Sequence, residues 1–119
     1  EKGCIFNILH VCDYRLPYRD LTPFIDYPGH IVNTNLQLVD RQMTVQEVAE
    51  MFKRPFMGGL DRFGVLAQGS PQAIRQEVHE VLQKAPDRFI LGADCTVPAG
   101  TSWDNLKTAI AAAHEWEGN

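Results

Sequence analysis

Three residues of metal-binding type stand where predicted β-strands end. His10 and Cys12 are two residues apart, so an extended strand directs both side chains to the same face. Cys95 follows another predicted strand. Imidazole nitrogen and thiolate sulfur are both good zinc ligands. A lone His-x-Cys pair is more often structural, with the histidine bonded to a carbonyl and the cysteine filling space. With Cys95 as a third residue of this type at an equivalent strand end, a zinc site and a structural role are equally open.

Other polar residues follow the same predicted strands. Gly58-Gly59 could let a phosphate or substrate approach the backbone, but the lysine and spacing of a P-loop are lacking, and a tight turn is the commoner use of two glycines. Asp61-Arg62 could form a buried pair, a clamp for substrate carboxylates, or a surface pair of little energetic weight. We take Asp61 and Asp94 as candidate catalytic residues because each follows a strand. The further candidates are Asn33 and Asn35 after the second strand, and Asp13 and Arg15, which could orient a ligand or face solvent.

Strand and helix patterns alternate along the whole chain. Short apolar runs with turn signals predict strands, and apolar residues at helical spacing predict helices. The predicted strands are Cys4–His10 (the first, suited to burial on both faces), His30–Leu36, Pro55–Leu60 and Arg88–Gly92. A short helix is predicted near Leu21–Tyr27, followed by a helix that starts at the Thr44/Glu47 capping box and has Val45, Val48, Ala49 and Phe52 on its inner face. The next predicted helix starts at Ser70-Pro71, with Ile74, Val78, Val81 and Leu82 on its inner face. Thr101 or Ser102 caps the last predicted helix, whose inner face is Leu106, Ile110 and Ala113.

Four strand–helix units joined by short connections predict an α/β fold with parallel strands and right-handed crossovers. An open sheet and half of a (β/α)8 TIM barrel both fit. A complete barrel needs roughly 250 residues, about twice the 119 here, and the abrupt start in front of a strand favours the half barrel. We expect residues 1–119 to form a single domain. Both architectures place reactive groups at the carboxyl ends of the strands.

Composition narrows the class of protein. With 45% hydrophobic and 22% charged residues, the chain is typical of a folded globular protein. The net charge of −4 disfavours nucleic acid and anionic membrane as partners. No apolar run approaches the roughly 20 residues of a membrane span. Three cysteines, an odd number, do not suggest a disulfide framework, so we expect reduced thiols, with Cys4 buried, in a cytoplasmic protein. We assign surface or packing roles to His79, Trp103 and His114, and find no evident partner for His30.

Four segments carry a resemblance to a known family. They are Phe56–Asp61 (FMGGLD), Leu66–Ile74 (LAQGSPQAI), Phe89–Pro98 (FILGADCTVP) and Asn105-Leu106. In this order they resemble the C-terminal half of the uroporphyrinogen decarboxylase superfamily. The shared pattern is a glycine-rich strand ending in Asp, a Gly-Ser-Pro helix start, a last strand entering a polar loop with proline, and a last helix that contains Asn. The resemblance implies the C-terminal half of a TIM barrel.

Two branches of that superfamily differ at these positions. The decarboxylases carry a histidine four residues before the loop proline, where this chain has Asp94. The methylcobamide:thiol methyltransferases carry His-x-Cys and a distant Cys as zinc ligands, which His10, Cys12 and Cys95 resemble. The resemblance therefore implies zinc with one coordination position left for a small thiol, and methyl transfer from a corrinoid that a partner protein or the enzyme itself holds.

Two other functions remain open from the sequence. One is decarboxylation of a tetrapyrrole-type substrate, uroporphyrinogen, without a metal. The other is a non-catalytic domain that retains the fold. Because a half barrel would leave its inner sheet face uncovered, we also expect the isolated chain to associate with itself.

Overall fold

A computed structural model of the chain describes residues 3, 5–13 and 16–116, so the expectations for Cys4 and Arg15 lie outside the described residues. Strands and helices alternate, as the sequence predicts. The strands are β1 (Ile8–Val11), β2 (Ile31–Thr34), β3 (Phe56–Leu60) and β4 (Phe89–Ala93). The helices are a short 3-10 helix (Thr22–Phe24), α1 (Val45–Phe52), α2 (Val65–Gln68), α3 (Pro71–Gln83) and α4 (Trp103–Glu115). The four-residue α2 was not predicted.

The four strands form one parallel sheet in the order β1-β2-β3-β4. Each strand lies beside the next one in the chain, as in successive units of a TIM barrel. The α/β class and the parallel sheet are confirmed, and the arrangement is consistent with part of a barrel. All strand ends that carry the candidate residues therefore meet at one edge of the sheet.

Side chains at the helix starts satisfy the backbone amides of the first turn. Thr44 and Glu47 form the predicted capping box of α1, in which each side chain accepts a hydrogen bond from the other residue's backbone N–H. Ser70 caps α3 by accepting from the Ala73 amide, and Ser102, rather than Thr101, caps α4. These local interactions fix where the helices begin.

The helices pack on one side of the sheet in two apolar clusters. Around β1, β2 and α1 the buried residues are Val11, Leu21, Val32, Leu38, Met43, Val45, Val48, Phe52 and Phe56. Around α2, α3 and α4 they are Leu60, Leu66, Ile74, Val78, Ala109 and Ala112. The predicted inner faces of α1 and α3 are confirmed. On α4 the prediction for Ile110 is wrong, since Ile110 is 57% exposed. It lies about 100° around the helix from Ala109, and the small side chains of Ala109 and Ala112 make the contact instead.

The opposite side of the sheet lacks a helical layer among the described residues. In β1, Leu9 is half-buried and Val11 buried, whereas Ile8 is 42% exposed and His10 is exposed. Ile90 in β4 is 44% exposed. The expectation that the first strand is buried on both faces is therefore wrong for its described part. None of the described helices is long and apolar enough to cross a membrane.

The glycine pair lies inside β3 and does not form a tight turn, which corrects the sequence interpretation. Gly59 has φ +103°, and a Cβ there would come within 2.5 Å of a Val81 methyl group on α3. Gly58 has φ +148°, and a Cβ there would meet the Phe56 ring at 2.9 Å. The absence of side chains thus lets α3 approach the sheet, and the backbone adopts a conformation that L side chains rarely take.

Candidate functional site

The ends of β1 and β4 bring the three predicted metal ligands together. His10 belongs to β1, Cys12 follows that strand directly, and Cys95 comes two residues after β4. One potential ligand atom from each residue lies within 4.8 Å of the other two. His10 is exposed and both cysteines are half-buried and free of disulfides. The four-stranded sheet by itself therefore holds Cys95 within reach of His10.

The geometry and chemistry of this group fit zinc. The Sγ atoms of Cys12 and Cys95 are 3.8 Å apart. Two thiolates on a tetrahedral zinc, each about 2.3 Å from the ion, would be separated by about 3.8 Å. One imidazole and two thiolates match the N/S ligand preference of zinc, and three protein ligands leave one position for a substrate. Within the part of the chain that the structure describes, the set has the three protein ligands of an open zinc site.

Asn33 on β2 connects this group to the rest of the sheet. It is 4% exposed, and its Oδ1 lies 2.6 Å from His10 Nδ1. Its Nδ2 donates to the backbone oxygens of Met57 on β3 (2.7 Å) and Ala93 on β4 (3.0 Å). A single buried amide thus bonds to all three other strands. The sequence placed Asn33 at a strand end but missed this role; a polar residue within an apolar strand was the available signal.

The Cys12 backbone has its own support. The Tyr18 hydroxyl donates a 2.9 Å hydrogen bond to the Cys12 carbonyl oxygen. The next residue, Asp13, is buried at 7% exposure and accepts a 3.1 Å hydrogen bond from the Asn35 amide nitrogen. The sequence left open whether Asp13 orients a ligand or faces solvent, and its burial shows that the second alternative is wrong. Tyr18 has no motif that would have marked it in the sequence.

Arg62 forms a buried ion pair, but with Asp94 and not with its neighbour Asp61. Arg62 Nη1 lies 2.8 Å from Asp94 Oδ2, and the Arg62 backbone N–H donates to Asp94 Oδ1 at 2.9 Å. Arg62 is 6% and Asp94 7% exposed. Asp61 is exposed and accepts from the Phe63 amide at 2.8 Å. The pair ties the loop after β3 to the loop after β4.

A polar cavity of about 270 Å³ opens beside these residues at the carboxyl ends of the strands. Asp13 and Asp94, the chain neighbours of Cys12 and Cys95, both line it. Its remaining lining is Pro17, Thr34, Asn35, Leu36, Gln37, Gln42, Gly59, Leu60, Asp61, Arg62 and Phe63. The amide, carboxylate and guanidinium groups there can bind the polar part of a small molecule. The candidate catalytic residues Asp61 and Asp94 thus share one cavity.

The other histidines lie away from this group. His30, for which the sequence suggested no partner, accepts a 3.0 Å hydrogen bond from the Asn7 amide at Nδ1, so that expectation is wrong. His79 packs against the Trp116 ring at a centroid distance of 5.4 Å, and His114 is exposed on α4. Trp103 is 76% exposed at the start of α4. Surface and packing roles for these three are consistent with the structure.

Comparison with known proteins agrees with the fold and with the resemblance of the four segments. The family model described as "Uroporphyrinogen decarboxylase (URO-D)" matches residues 2–116. No curated protein matches the chain. The matched range covers all four strand–helix units, including every candidate residue of the strand ends. The chain therefore belongs to the uroporphyrinogen decarboxylase family.

Proposed function

We propose that this chain forms part of a zinc-dependent methyltransferase, which moves a methyl group from a corrinoid to a thiol. The observation that carries the proposal is the convergence of His10, Cys12 and Cys95, whose ligand atoms lie within 4.8 Å of one another. Family membership alone supports an enzyme without specifying its reaction. A ligand set of two thiolates and an imidazole has no evident use in a decarboxylation that works without metal.

His10, Cys12 and Cys95 would hold the ion. A bound zinc ion would lower the pKa of a coordinating thiol, so that the thiol is present as the thiolate nucleophile. Asn33 orients the His10 ring, and the hydrogen bond from Tyr18 fixes the backbone of Cys12. The neighbouring polar cavity would bind the remainder of the thiol substrate. We propose that Asp61 and Asp94, which line it, contact that substrate.

The surroundings of Asp94 favour this reaction over porphyrinogen decarboxylation. Asp94 occupies the position at which the decarboxylases resembled here carry a histidine, and its carboxylate is engaged with buried Arg62. An imidazole, which can donate a proton, is thus replaced at this position by a carboxylate that is already paired with a cation. The acetate groups of uroporphyrinogen would therefore meet a buried ion pair and not an imidazole proton donor at this position.

Activity of the full-length protein tests the proposal. The protein is loaded with zinc and given methylcobalamin with a series of small thiols, and the loss of the cobalt–methyl chromophore is followed together with thioether formation. We expect turnover that depends on both zinc and thiol, and no useful conversion of uroporphyrinogen to coproporphyrinogen. Conversion of uroporphyrinogen by metal-free protein would contradict the proposal and favour the decarboxylase. Absence of both activities, together with absence of zinc binding, would favour a non-catalytic domain.

A further inference from the structure

We infer that Asn33 is the positioning residue of the site: it holds His10 as the Nδ1–H tautomer and leaves Nε2 as the nitrogen that binds metal. The functional meaning of this inference rests on the proposed zinc site. The tautomer itself follows from the hydrogen bonds of the protein and can be measured without any metal.

The hydrogen bonds settle the orientation of the Asn33 amide. One end of the amide faces two backbone carbonyl oxygens, those of Met57 at 2.7 Å and Ala93 at 3.0 Å. Carbonyl oxygens only accept hydrogen bonds, so the group that faces them must be the NH₂, which has two hydrogens to donate. The opposite orientation would bring three oxygens together inside the protein. Oδ1 therefore points to His10.

The orientation of the amide determines the position of the imidazole proton. Oδ1 of Asn33 can only accept, and it lies 2.6 Å from Nδ1 of His10. Nδ1 must therefore donate, and a neutral imidazole has one proton. Nε2 is left with its lone pair, which is the form that binds a metal ion. Metal-binding histidines generally donate their second ring N–H to such an outer partner.

The same amide also fixes the strand that presents Cys95. Ala93, whose oxygen accepts from Asn33, lies two residues before Cys95, while His10 pairs with Asn33 in the register of β1 and β2. Asn33 is 4% exposed, so water does not readily replace these bonds. The ligands from the two outer strands are thus positioned relative to each other by one side chain between them.

Nitrogen-15 NMR of the metal-free full-length protein tests the inference. Long-range ¹⁵N–¹H correlations of the histidine rings, recorded at a pH where imidazole is neutral, distinguish protonated from unprotonated ring nitrogens. The His10→Gln variant identifies the His10 signals. We expect a protonated Nδ1 and an unprotonated Nε2 in the wild type. A protonated Nε2 of His10 in the wild type would overturn the inference.

Two substitutions separate positioning from general structural support. Asn33→Leu keeps the size but removes the acceptor, so we expect a mixture of His10 tautomers and about 10- to 100-fold weaker zinc binding. Asn33→Asp keeps the acceptor toward His10 but loses the NH₂ that donates to Met57 and Ala93, so it should be less stable while retaining the Nδ1–H tautomer. The wild-type spectrum alone decides the inference if neither variant folds. The matched control is Asn35→Leu, which removes an amide that bonds to Asp13 and not to His10. An unchanged tautomer in Asn33→Leu, or its loss in Asn33→Asp, would contradict the inference.

These readouts keep the inference separate from the proposed function. If the protein binds no zinc but His10 is the Nδ1–H tautomer, the zinc enzyme fails and the positioning role of Asn33 stands. If zinc binds and His10 is protonated at Nε2, the zinc site stands and the role of Asn33 is wrong.

Discussion

The Sγ atoms of Cys12 and Cys95 lie 3.8 Å apart although the two cysteines are 83 positions apart in the chain. One follows β1 and the other follows β4, which are the outer strands of the described sheet. The sheet must curve to bring these strand ends together, as strands of a barrel do. Their separation suits two sulfurs on one ion.

Removal of any one of the three proposed ligands should reduce zinc binding. We expect close to one zinc per chain in the purified full-length protein. His10→Ala, Cys12→Ala and Cys95→Ala should each weaken binding by at least about tenfold, since even outer-shell partners contribute 10- to 100-fold. Elemental analysis and competition with a chelator measure this effect. His114→Ala, which alters an exposed histidine on α4, is the control, and undiminished zinc in both cysteine variants would refute the assignment.

The Arg62–Asp94 pair should matter for stability because both groups are buried. Arg62→Met should lower the free energy of unfolding by about 3–5 kcal/mol, since it leaves the Asp94 carboxylate buried without its cationic partner. The double variant Arg62→Met/Asp94→Leu should regain much of this loss. Chemical denaturation of the four proteins of this cycle provides the measurement.

The exposed pair of Arg75 and Glu115 gives a matched control for that cycle. Their side chains are 42% and 58% exposed and lie 2.6 Å apart. Arg75→Met should cost no more than about 1 kcal/mol, because solvent screens an exposed pair. Equal effects of Arg62→Met and Arg75→Met would show that burial does not set the strength of the Arg62–Asp94 interaction.

Glu77 on α3 should contribute more to the stability of the protein in acid than at neutral pH. Burial raises the pKa of this carboxyl above its ordinary value, and the charges of Asp61 and Glu80 raise it further. The folded chain then holds this proton more tightly than the unfolded chain, so the stability contribution falls as the pH rises through the folded-state pKa.

Glu77→Gln should therefore raise the Tm at pH 7, and the gain should shrink as the pH falls through the raised folded-state pKa toward the usual glutamate value of about 4.3. Thermal unfolding across a pH series measures the difference. Glu50→Gln, an exposed position on α1, is the control and should show little gain at neutral pH. A Glu77→Gln gain that is independent of pH would rule out the ionised carboxylate as its cause.

The isolated 119-residue chain should associate with itself. Ile8 and Ile90 are exposed on the sheet face that lacks helices among the described residues, and β1 and β4 each pair on one side only in the described sheet. Such a face and such edges favour association. Light scattering over a concentration series should show dimers or larger species. Ile90→Lys should shift them toward monomer, whereas Val39→Lys, at a position 49% exposed in a loop, should not; a stable monomeric wild type would refute this expectation.

Local sequence patterns predicted the elements of this fold well. The capping box at Thr44 and Glu47 and the helix start at Ser70 depend on residues within one turn, so the sequence contains all that they need. Strand bounds shifted by a few residues because pairing with the neighbouring strand, and not composition alone, decides where a strand ends.

Features that depend on residues far away in the chain were harder to predict from the sequence. The sequence placed Arg62 beside Asp61, but its ion pair is with Asp94, 32 residues away. Position 59 in β3 requires a glycine because Val81 of α3 lies close to it, and no local sequence pattern encodes that contact. The three metal-type residues were recognisable because their predicted strand ends share one edge in any parallel sheet.

The spacing of 83 positions between Cys12 and Cys95 also imposes an order on biosynthesis. A ribosome adds about 5–20 residues per second, so Cys12 is made roughly 4–17 seconds before its partner sulfur exists. Throughout that interval His10 and Cys12 offer at most two ligands to an ion. A three-ligand site can arise only once the last strand has emerged and joined the sheet. Metal acquisition would therefore come late in the maturation of the protein and would select chains whose sheet is complete.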